Sequence, residues 1–337
     1  MNFTLTILGS ASALPFSDRN PSAQALSVHG RLFLIDCGEG TQQRIRQEHL
    51  SFVKIEAVFI SHIHGDHVFG LFGLLSTMSL YHRTGDLHVF GPQNLGPVLN
   101  FYRSYFGQEL GFEIVFHPLT FKTPTVIAGT GCPSSTVSLR STPPFASLMV
   151  PPLSVPRVAA ASEGQPVPAE TVNLGKNVRV TAFPLNHKID CYGFRFDEVV
   201  GPRRNPWKPR SYAYCSDTAP FPELAQYIKG VDILYHETTY PADMQDKAEQ
   251  YFHSTTLQAA CCAKEAGVGK LLTGHYSSRV KDIAALADEC RTIFPESYTV
   301  NDGDVFEIPY IREHEKVSSD SVCDADGADA PVGHPAE

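Results

Sequence analysis

The chain has 337 residues, 42% hydrophobic and 19% charged, and its formal net charge is −9. This length suffices for one large α/β domain or two small ones, and the composition is ordinary for a soluble protein. No run approaches the roughly 18 apolar residues of a membrane helix, and no signal peptide is recognisable. The acidic total does not favour nucleic-acid binding, so any such surface must be a local patch.

The first part of the chain alternates strand-like and helical segments. Nearly continuous apolar runs indicate buried strands, and amphipathic runs indicate helices. The predicted strands are Phe3–Gly9, Ala23–Val28, Arg31–Cys37, Ile55–His62, Leu87–Phe90 and Phe112–Phe116. The predicted helices are Thr41–Leu50, Val68–His82 and Leu95–Phe106.

The same alternation resumes after a gap. The predicted strands there are Val178–Pro184, Cys191–Phe196, Ser211–Cys215, Asp232–His236 and Lys270–His275. The predicted helices are Pro222–Ile228, Thr256–Gly267 and Val280–Phe294. Mixed strands and helices in this order predict two sheets packed together, with helices outside.

Two segments fall outside the pattern. Residues 121–175 contain nine prolines and only five charged side chains, which indicates an irregular insertion. Residues 313–337 contribute −6 of the net charge and offer little to bury, which indicates disorder. We therefore predict one domain over residues 1–312, followed by a disordered acidic tail.

Three histidines and an aspartate cluster where the strand ending in His62 meets a helix. Side chains two apart in an extended chain point the same way, so His62 and His64 can hold one metal ion. Asp66 and His67 lie where the chain turns into the helix and can face a second ion. Imidazole and carboxylate are zinc ligands, and two ions with open positions indicate hydrolytic chemistry. A chance cluster on a polar loop is the less favoured alternative, because the four residues are so closely spaced.

Candidates for the remaining ligands also follow predicted strands. These are His187, Asp217 and His275. An aspartate between two metals can bridge them, and Asp217 is the best-placed carboxylate. Each of the three taken alone is more commonly structural, but together with the first cluster they complete two ligand sets.

Two further histidines are candidates for proton transfer. His236 and Glu237 end a predicted strand, and His253 precedes a helix. Phosphodiester cleavage needs a proton for the departing oxygen, which a histidine oriented by a carboxylate can supply. The alternatives are a buried structural role for His236, and for His253 a position beside a helix cap at Ser254 or Thr255.

Several sequence segments resemble, in order and spacing, the motifs of the ribonuclease Z family. They are SHIHGDHVFGL, PLNHKIDCYGFRF, YCSDT, HETTY, FHSTT and TGHYSSR, and the resemblance covers most of residues 3–118 and 178–300. The first marks only the metallo-β-lactamase superfamily, whereas the last three are more specific for its tRNA-processing branch. The resemblance implies an α/β metallo-β-lactamase fold, an αβ/βα sandwich of two mixed sheets flanked by helices.

The resemblance also implies roles for the candidate residues. One zinc ion would bind His62, His64 and His187, a second would bind Asp66, His67 and His275, and Asp217 would bind both. Asp66 would also act as the base for the attacking water, and His253, paired with Glu237, would protonate the leaving oxygen. The substrate would be precursor tRNA, cut after the last unpaired acceptor-stem nucleotide to leave a 3′-hydroxyl. The enzyme would be a homodimer in which one subunit grips tRNA for the other.

The chain departs from the family between two of its ligands. Bacterial members usually carry a long tRNA-binding arm between the equivalents of His187 and Asp217, which are separated here by only thirty positions. The loop at 201–210 lies in that interval and holds four cations and the only tryptophan. We predict substrate contacts from Arg203, Arg204, Trp207, Lys208 and Arg210, with stacking of Trp207 on a base or the terminal sugar. An ordinary polar connector is the alternative.

Two other functions compete with tRNA processing. Shorter relatives without the arm act on small molecules, so a phosphodiesterase or esterase with such a substrate is the main alternative. A zinc-stabilised RNA-binding or scaffold protein is disfavoured because every expected ligand is present. Eight cysteines without a C-x-x-C pair indicate reduced thiols, with a zinc–thiolate site as the less favoured alternative. The expected location is the cytoplasm.

Overall fold

Two seven-stranded β-sheets form the framework of the chain. The computed structural model describes residues 2–14, 18–106, 110–120, 169–174, 177–199 and 207–311. The first sheet has the order β14-β1-β2-β3-β4-β5-β6 and the second the order β13-β12-β11-β10-β9-β8-β7. The strands are β1 Phe3–Gly9, β2 Ala23–Val28, β3 Arg31–Ile35, β4 Ile55–Phe59, β5 Leu87–Pro92, β6 Ile114–Leu119, β7 Glu170–Leu174, β8 Val178–Pro184, β9 Tyr192–Glu198, β10 Ser211–Cys215, β11 Ile233–Glu237, β12 Lys270–Gly274, β13 Ser297–Thr299 and β14 Val305–Glu307.

Helices cover the outer faces of both sheets. They are α1 Thr41–Gln47, α2 Gly65–Val68, α3 Gly70–Leu80, α4 Leu95–Tyr105, α5 Leu224–Tyr227, α6 Gln245–Tyr251, α7 Thr256–Ala266 and α8 Ile283–Arg291, with short 3-10 turns at Phe52–Lys54 and Ala242–Met244. Within the described residues, no helix combines the length and the apolar character needed to span a membrane.

Alternation along the strands builds three separate apolar layers. In β11, Ile233 and Tyr235 face the core between the sheets, whereas Leu234 faces the helices. The central layer is rich in aromatic side chains, with Phe59 stacked on Phe90 at 4.8 Å between ring centroids. The outer layers pack helices on each sheet. The predicted fold of two mixed sheets with helices outside is therefore confirmed.

The structure corrects one predicted boundary and adds elements. The insertion predicted at 121–175 contains a regular strand, β7, which pairs antiparallel with β8; its residues 121–168 and 175 lie outside the described residues. The predicted tail at 313–337 also lies outside them. Strands β13 and β14 and helix α6 were not predicted.

Several parallel strands end at one edge of the sandwich. In the first sheet β3 is parallel to β4, and in the second β10, β11 and β12 are mutually parallel. Ligands of α/β proteins bind beyond the carboxyl ends of such strands. The residues that follow these five strands therefore meet at one edge, where the two sheets face each other.

Candidate active site

Four predicted ligands converge on one point. His62 and His64 follow β4, His187 follows β8 and Asp217 follows β10. His64 Nδ1 lies 3.0 Å from His62 Nε2 and 3.4 Å from His187 Nε2. Asp217 Oδ2 lies 3.6 Å from His62 Nε2 and 4.0 Å from His187 Nε2. His64 is exposed whereas the other three are buried, so this group opens to solvent on one side.

A second group forms beside the first. His275 Nε2 lies 3.2 Å from His67 Nε2 and 3.3 Å from Asp66 Oδ2. The second oxygen of Asp217, Oδ1, is 3.2 Å from His275 Nε2 and 3.6 Å from His67 Nε2. Each oxygen of Asp217 therefore faces a different group, as a bridging carboxylate would.

The spacing and charge of these atoms fit zinc. Two nitrogens bound at 2.0–2.1 Å to one tetrahedral ion lie roughly 3.3 Å apart, close to the distances in both groups. Asp217 Oδ1 is buried without a hydrogen-bond partner, an arrangement that is costly unless a cation satisfies the oxygen. Burial acts to lower the pKa of His67, but Asp66, Asp217 and Asp36 together raise it well above its usual value. The surrounding carboxylates thus favour positive charge at this position.

A residue that the sequence analysis missed holds His67 in place. Asp36 directly follows β3, is fully buried, and accepts a 2.7 Å hydrogen bond from His67 Nδ1. Its carboxylate also accepts from the Ser61 backbone N–H at 2.7 Å and from the Tyr214 hydroxyl at 2.6 Å. A carboxylate of this kind fixes the tautomer and ring orientation of a metal-binding histidine. The predicted strand ran to Cys37 and so enclosed Asp36; because β3 ends at Ile35, Asp36 in fact follows a buried strand just as Asp217 does.

Backbone and hydroxyl groups orient two of the other imidazoles. His187 Nδ1 donates to the Phe252 carbonyl at 3.0 Å, which leaves Nε2 free to face the first group. His275 Nδ1 lies 2.9 Å from Thr239 Oγ1, and that hydroxyl donates to Glu237 Oε2 at 2.6 Å. Glu237 therefore connects indirectly to the second group.

Glu237 and His253 form a buried acid–base pair next to the two groups. His253 Nδ1 lies 3.0 Å from Glu237 Oε1, which also accepts backbone N–H groups of Thr218 at 3.1 Å and Ser254 at 2.8 Å. Burial acts to raise the pKa of Glu237, but the charge and hydrogen bond of His253 dominate and lower it to about 2. Burial acts to lower the pKa of His253, yet Glu237 and Asp217 raise it to about 9. The buried carboxylate therefore favours the protonated form of His253.

The helix cap considered for this segment is also present. Thr255 caps α7 by accepting from the Gln258 backbone N–H, and His253 lies two residues before it. His253 also comes within 4.8 Å of ligand atoms of Asp217 and His275, a third combination that could hold a metal. His236 points elsewhere: it is buried on the helix-covered face of the sheet, where Nδ1 donates to the Glu237 carbonyl at 2.8 Å.

The structure corrects the prediction for Arg210. Its guanidinium is 2% exposed, pairs with Glu198 through contacts of 2.9 and 3.0 Å, and stacks 3.7 Å from the centroid of the Tyr310 ring. Because these contacts enclose the charge, Arg210 is a structural residue. Lys208 Nζ lies 2.9 Å from Asp232 Oδ1, and the ring of Trp207 packs on Tyr310 at 5.8 Å.

The described part of the loop, residues 207–210, is also remote from the ligands. It precedes β10, whereas Asp217 follows that strand, so the strand separates them by roughly 16–20 Å. Trp207 therefore lies at the opposite end of β10 from Asp217 of the same subunit, and its stacking on a base or the terminal sugar stays a prediction. Arg203 and Arg204 lie outside the described residues.

Comparison with known proteins gives similarities over most of the chain. Ribonuclease Z of Bacteroides thetaiotaomicron is 36% identical over 335 residues, covering 88% of this chain and 92% of that protein. The crystal structure of human tRNase Z, short form, is similar with a TM-score of 0.67 and 27% identity, covering 91% of this chain and 99% of that one.

Two further matches are weaker or shorter. The metallo-β-lactamase fold protein YhfI from Bacillus subtilis has a TM-score of 0.64 at 17% identity, covering 91% of this chain and all of that one, and it supports the fold alone. The family model described as anti-Pycsar protein Apyc1 matches residues 3–100, under a third of the chain.

Proposed function

The chain belongs to the ribonuclease Z family, and from this premise we propose that it is a zinc-dependent endoribonuclease that removes the 3′ trailer from tRNA precursors. Cleavage leaves a 3′-hydroxyl on the tRNA. The observation that carries the proposal is the meeting of seven ligand side chains beside an acid–base pair, in a chain whose ribonuclease Z relatives align over most of its length. We further propose that it acts in the cytoplasm.

We assign the ligands by the two groups that they form. His62, His64 and His187 would hold one zinc ion, Asp66, His67 and His275 the other, and Asp217 both. When bound, the ions would polarise the scissile phosphate and lower the pKa of the attacking water. Asp66 would then accept the proton of that water. Burial acts to raise the pKa of Asp66, but His67 and His275 outweigh it and hold the pKa well below its usual value, so it stays a carboxylate.

His253 would complete the reaction at the other end of the bond. Because Nδ1 of His253 is hydrogen-bonded to Glu237, the other ring nitrogen, Nε2, can face the departing oxygen. That oxygen is the 3′-oxygen of the last nucleotide retained by the tRNA. A proton delivered there converts a poor leaving group into the 3′-hydroxyl of the product.

The proposed homodimer has a candidate contact surface on α4. Val98, Phe101 and Tyr105 lie on one face of this helix and are 41%, 57% and 69% exposed, and Phe106 beside them is 70% exposed. The ring of Phe101 lies 4.7 Å from that of Tyr105, so the apolar stripe is continuous. Surface aromatics grouped in this way commonly mark an interface. Phe101→Glu should convert a dimer to monomers, measured by light scattering, whereas Lys264→Glu, on the exposed face of α7, should not.

The loop at 201–210 remains a proposed contact with the tRNA. Arg203, Arg204, Lys208 and Trp207 would serve that role, without Arg210. Neutralising Arg203 and Arg204 together should raise KM for pre-tRNA and flatten its salt dependence. Hydrolysis of bis(p-nitrophenyl) phosphate should not change, and unaltered pre-tRNA kinetics across a salt series would remove the loop from the proposal.

The test of the function is an assay on a 3′-extended pre-tRNA. The purified protein should make one cut after the last unpaired acceptor-stem nucleotide and leave a 3′-hydroxyl, and Asp66→Ala should abolish cleavage. The alternative is a phosphodiesterase or esterase for a small molecule, favoured by the short interval between His187 and Asp217. If the protein hydrolysed small phosphodiesters but left pre-tRNA uncleaved at every enzyme concentration, that alternative would be established instead.

A further inference from the structure

An exposed lysine and an exposed tyrosine meet at the rim of the site. Lys188 directly follows the ligand His187, and its Nζ lies 4.7 Å from the ring centroid of Tyr251. Tyr251 is 42% exposed at the end of α6, two residues before His253. Within the described ranges Lys188 makes no ion pair, so its charge is available to a ligand.

The backbone fixes this pair relative to the acid–base machinery. Phe252, between Tyr251 and His253, adopts a left-handed conformation with φ of 61°, and its carbonyl accepts the hydrogen bond from His187 Nδ1. The His253 N–H donates to the Ala248 carbonyl at 2.9 Å, which ties the turn to α6. The His187 and His253 rings are 5.4 Å apart. Lys188 and Tyr251 are thus placed on the side of the site that holds His253.

The proposed reaction determines which nucleotide of the substrate lies on the side of His253. His253 protonates the 3′-oxygen that stays with the tRNA, so the nucleotide nearest to it is the last unpaired one of the acceptor stem. A single-stranded nucleotide offers a base that can stack on an aromatic ring and a phosphate that an ammonium group can neutralise. An exposed tyrosine beside a lysine that has no ion pair among the described residues supplies both.

We propose that Lys188 and Tyr251 bind this last unpaired nucleotide. Lys188 contacts the phosphate on its 5′ side, and the face of Tyr251 turned away from Lys188 stacks on its base. Stacking of this kind tolerates any base, as a substrate class that varies in sequence requires. The inference rests on the proposed function and adds to it the residues that position the unpaired nucleotide.

The chain offers a matched control pair far from the site. Lys270 Nζ lies 5.6 Å from the ring centroid of Tyr298, which is 36% exposed. Lys270 begins β12 and His275 follows its end, so this second lysine–tyrosine contact lies at the opposite edge of the sheet. The two pairs share their chemistry and differ in location.

The experiment compares Lys188→Ala, Lys188→Arg, Tyr251→Leu and Tyr251→Phe with Lys270→Ala. Lys188→Ala should raise KM for pre-tRNA about 10-fold and reduce the slope of log KM against log salt by roughly 0.7, the share of one single-strand phosphate. Tyr251→Leu should raise KM by about 5–150-fold, the worth of one stacked base. Lys188→Arg, Tyr251→Phe and Lys270→Ala should stay within twofold of the parent, and all variants should hydrolyse bis(p-nitrophenyl) phosphate at the parent rate.

The outcomes distinguish a wrong function from a wrong nucleotide contact. If the parent does not cleave pre-tRNA, the proposed function is wrong. If the parent cleaves it and Lys188→Ala keeps the KM and salt slope of Lys270→Ala, the nucleotide contact is wrong while the function stands. A fall in bis(p-nitrophenyl) phosphate hydrolysis by Lys188→Ala or Tyr251→Leu would also overturn the proposal, because it would mean that the pair supports the site instead of the RNA.

Discussion

Two histidines in the site are hydrogen-bonded to buried carboxylates, and their second ring nitrogens face different surroundings. His67 pairs with Asp36, and its Nε2 lies 3.4 Å from Asp66 Oδ2 and 3.2 Å from His275 Nε2. His253 pairs with Glu237 and has 14% of its side chain exposed. The first arrangement suits a metal ligand and the second suits a proton donor that reaches the substrate.

This difference predicts a split between substrates for His253→Ala. Cleavage of pre-tRNA should slow by about 10²–10⁴-fold, because the departing 3′-oxygen needs a positioned acid. Hydrolysis of bis(p-nitrophenyl) phosphate should fall far less, since nitrophenolate leaves without a proton. Zinc content by elemental analysis should be unchanged. Loss of zinc would instead assign His253 to the third ligand combination, with Asp217 and His275.

Removal of the charge on Glu237 should change the pH dependence. The pKa of His253 is raised to about 9, so the acid is protonated below that pH and the rate should fall as pH rises through the basic limb. The stability contributed by the pair is complete between the ordinary pKa of glutamate, near 4.5, and that of histidine, near 6.5. It is lost as pH rises through about 9, where His253 loses its proton, and as pH falls through about 2, where Glu237 gains one. In Glu237→Gln the main partner that raises this pKa is gone, so the basic limb of kcat should move to lower pH. If the basic limb of the kcat profile did not move, a group other than His253 would be responsible for it.

At the scale of single elements, the end of β3 sets the orientation of a ligand. Asp36 terminates this strand in the left-handed region, with φ of 55°, where aspartate and asparagine are tolerated better than most residues. Asp36→Asn therefore preserves the backbone and removes the charge that holds His67. We expect a loss of zinc affinity of about 10–100-fold, measured by competition with a chelator. Asp302→Asn, a carboxylate change outside the ligand contacts, is the control and should bind zinc like the parent.

Elements with a clear apolar period were predictable, and those without one were not. Strands β1, β2, β8 and β10 have the predicted bounds, because each is a buried run between turns. Helix α6 has one buried residue, Ala248, so no apolar face appears in its sequence. The three-residue strands β13 and β14 are too short to show alternation, and β7 is a half-buried edge strand next to proline-rich sequence.

The residues of the candidate site could be predicted from the sequence more completely than the edge strands of the two sheets. Ligand residue types at strand ends predicted both groups, whereas charge alone was a poor guide for Arg210. Arg210 appeared free only because its partner, Glu198, lies in the preceding strand and its ring contact, Tyr310, lies 100 positions later. Such pairing depends on tertiary structure, which local composition does not reveal.

At the scale of the molecule, the proposed zinc site joins the two sheets. The first sheet and its connections supply His62, His64, Asp66 and His67, and the second supplies His187, Asp217 and His275. A ligand at 1,000 times its Kd stabilises a protein by about 4 kcal/mol, and 1 kcal/mol shifts Tm by about 2–4 °C in a large domain.

We therefore expect chelation to lower Tm by about 10 °C, and added zinc to restore it, in thermal melts followed by circular dichroism. Elemental analysis of the native protein should find close to two zinc ions per chain. Asp217→Ala should hold fewer ions and respond less to chelation. One tightly bound ion unaffected by Asp217→Ala would rule out the shared carboxylate.

The pairing of β14 with β1 has a consequence for the order in which the chain acquires its structure during synthesis. Thr4 pairs with Glu307 and Leu5 with Phe306, contacts that span about 300 residues. At 5–20 residues per second, a ribosome needs about 15–60 s to make that length, and the outer edge of β1 stays unpaired throughout. His275 also emerges late, so a nascent chain cannot complete its second ligand group until most of it has been translated. Truncated products would therefore carry both an open sheet edge and an incomplete catalytic centre.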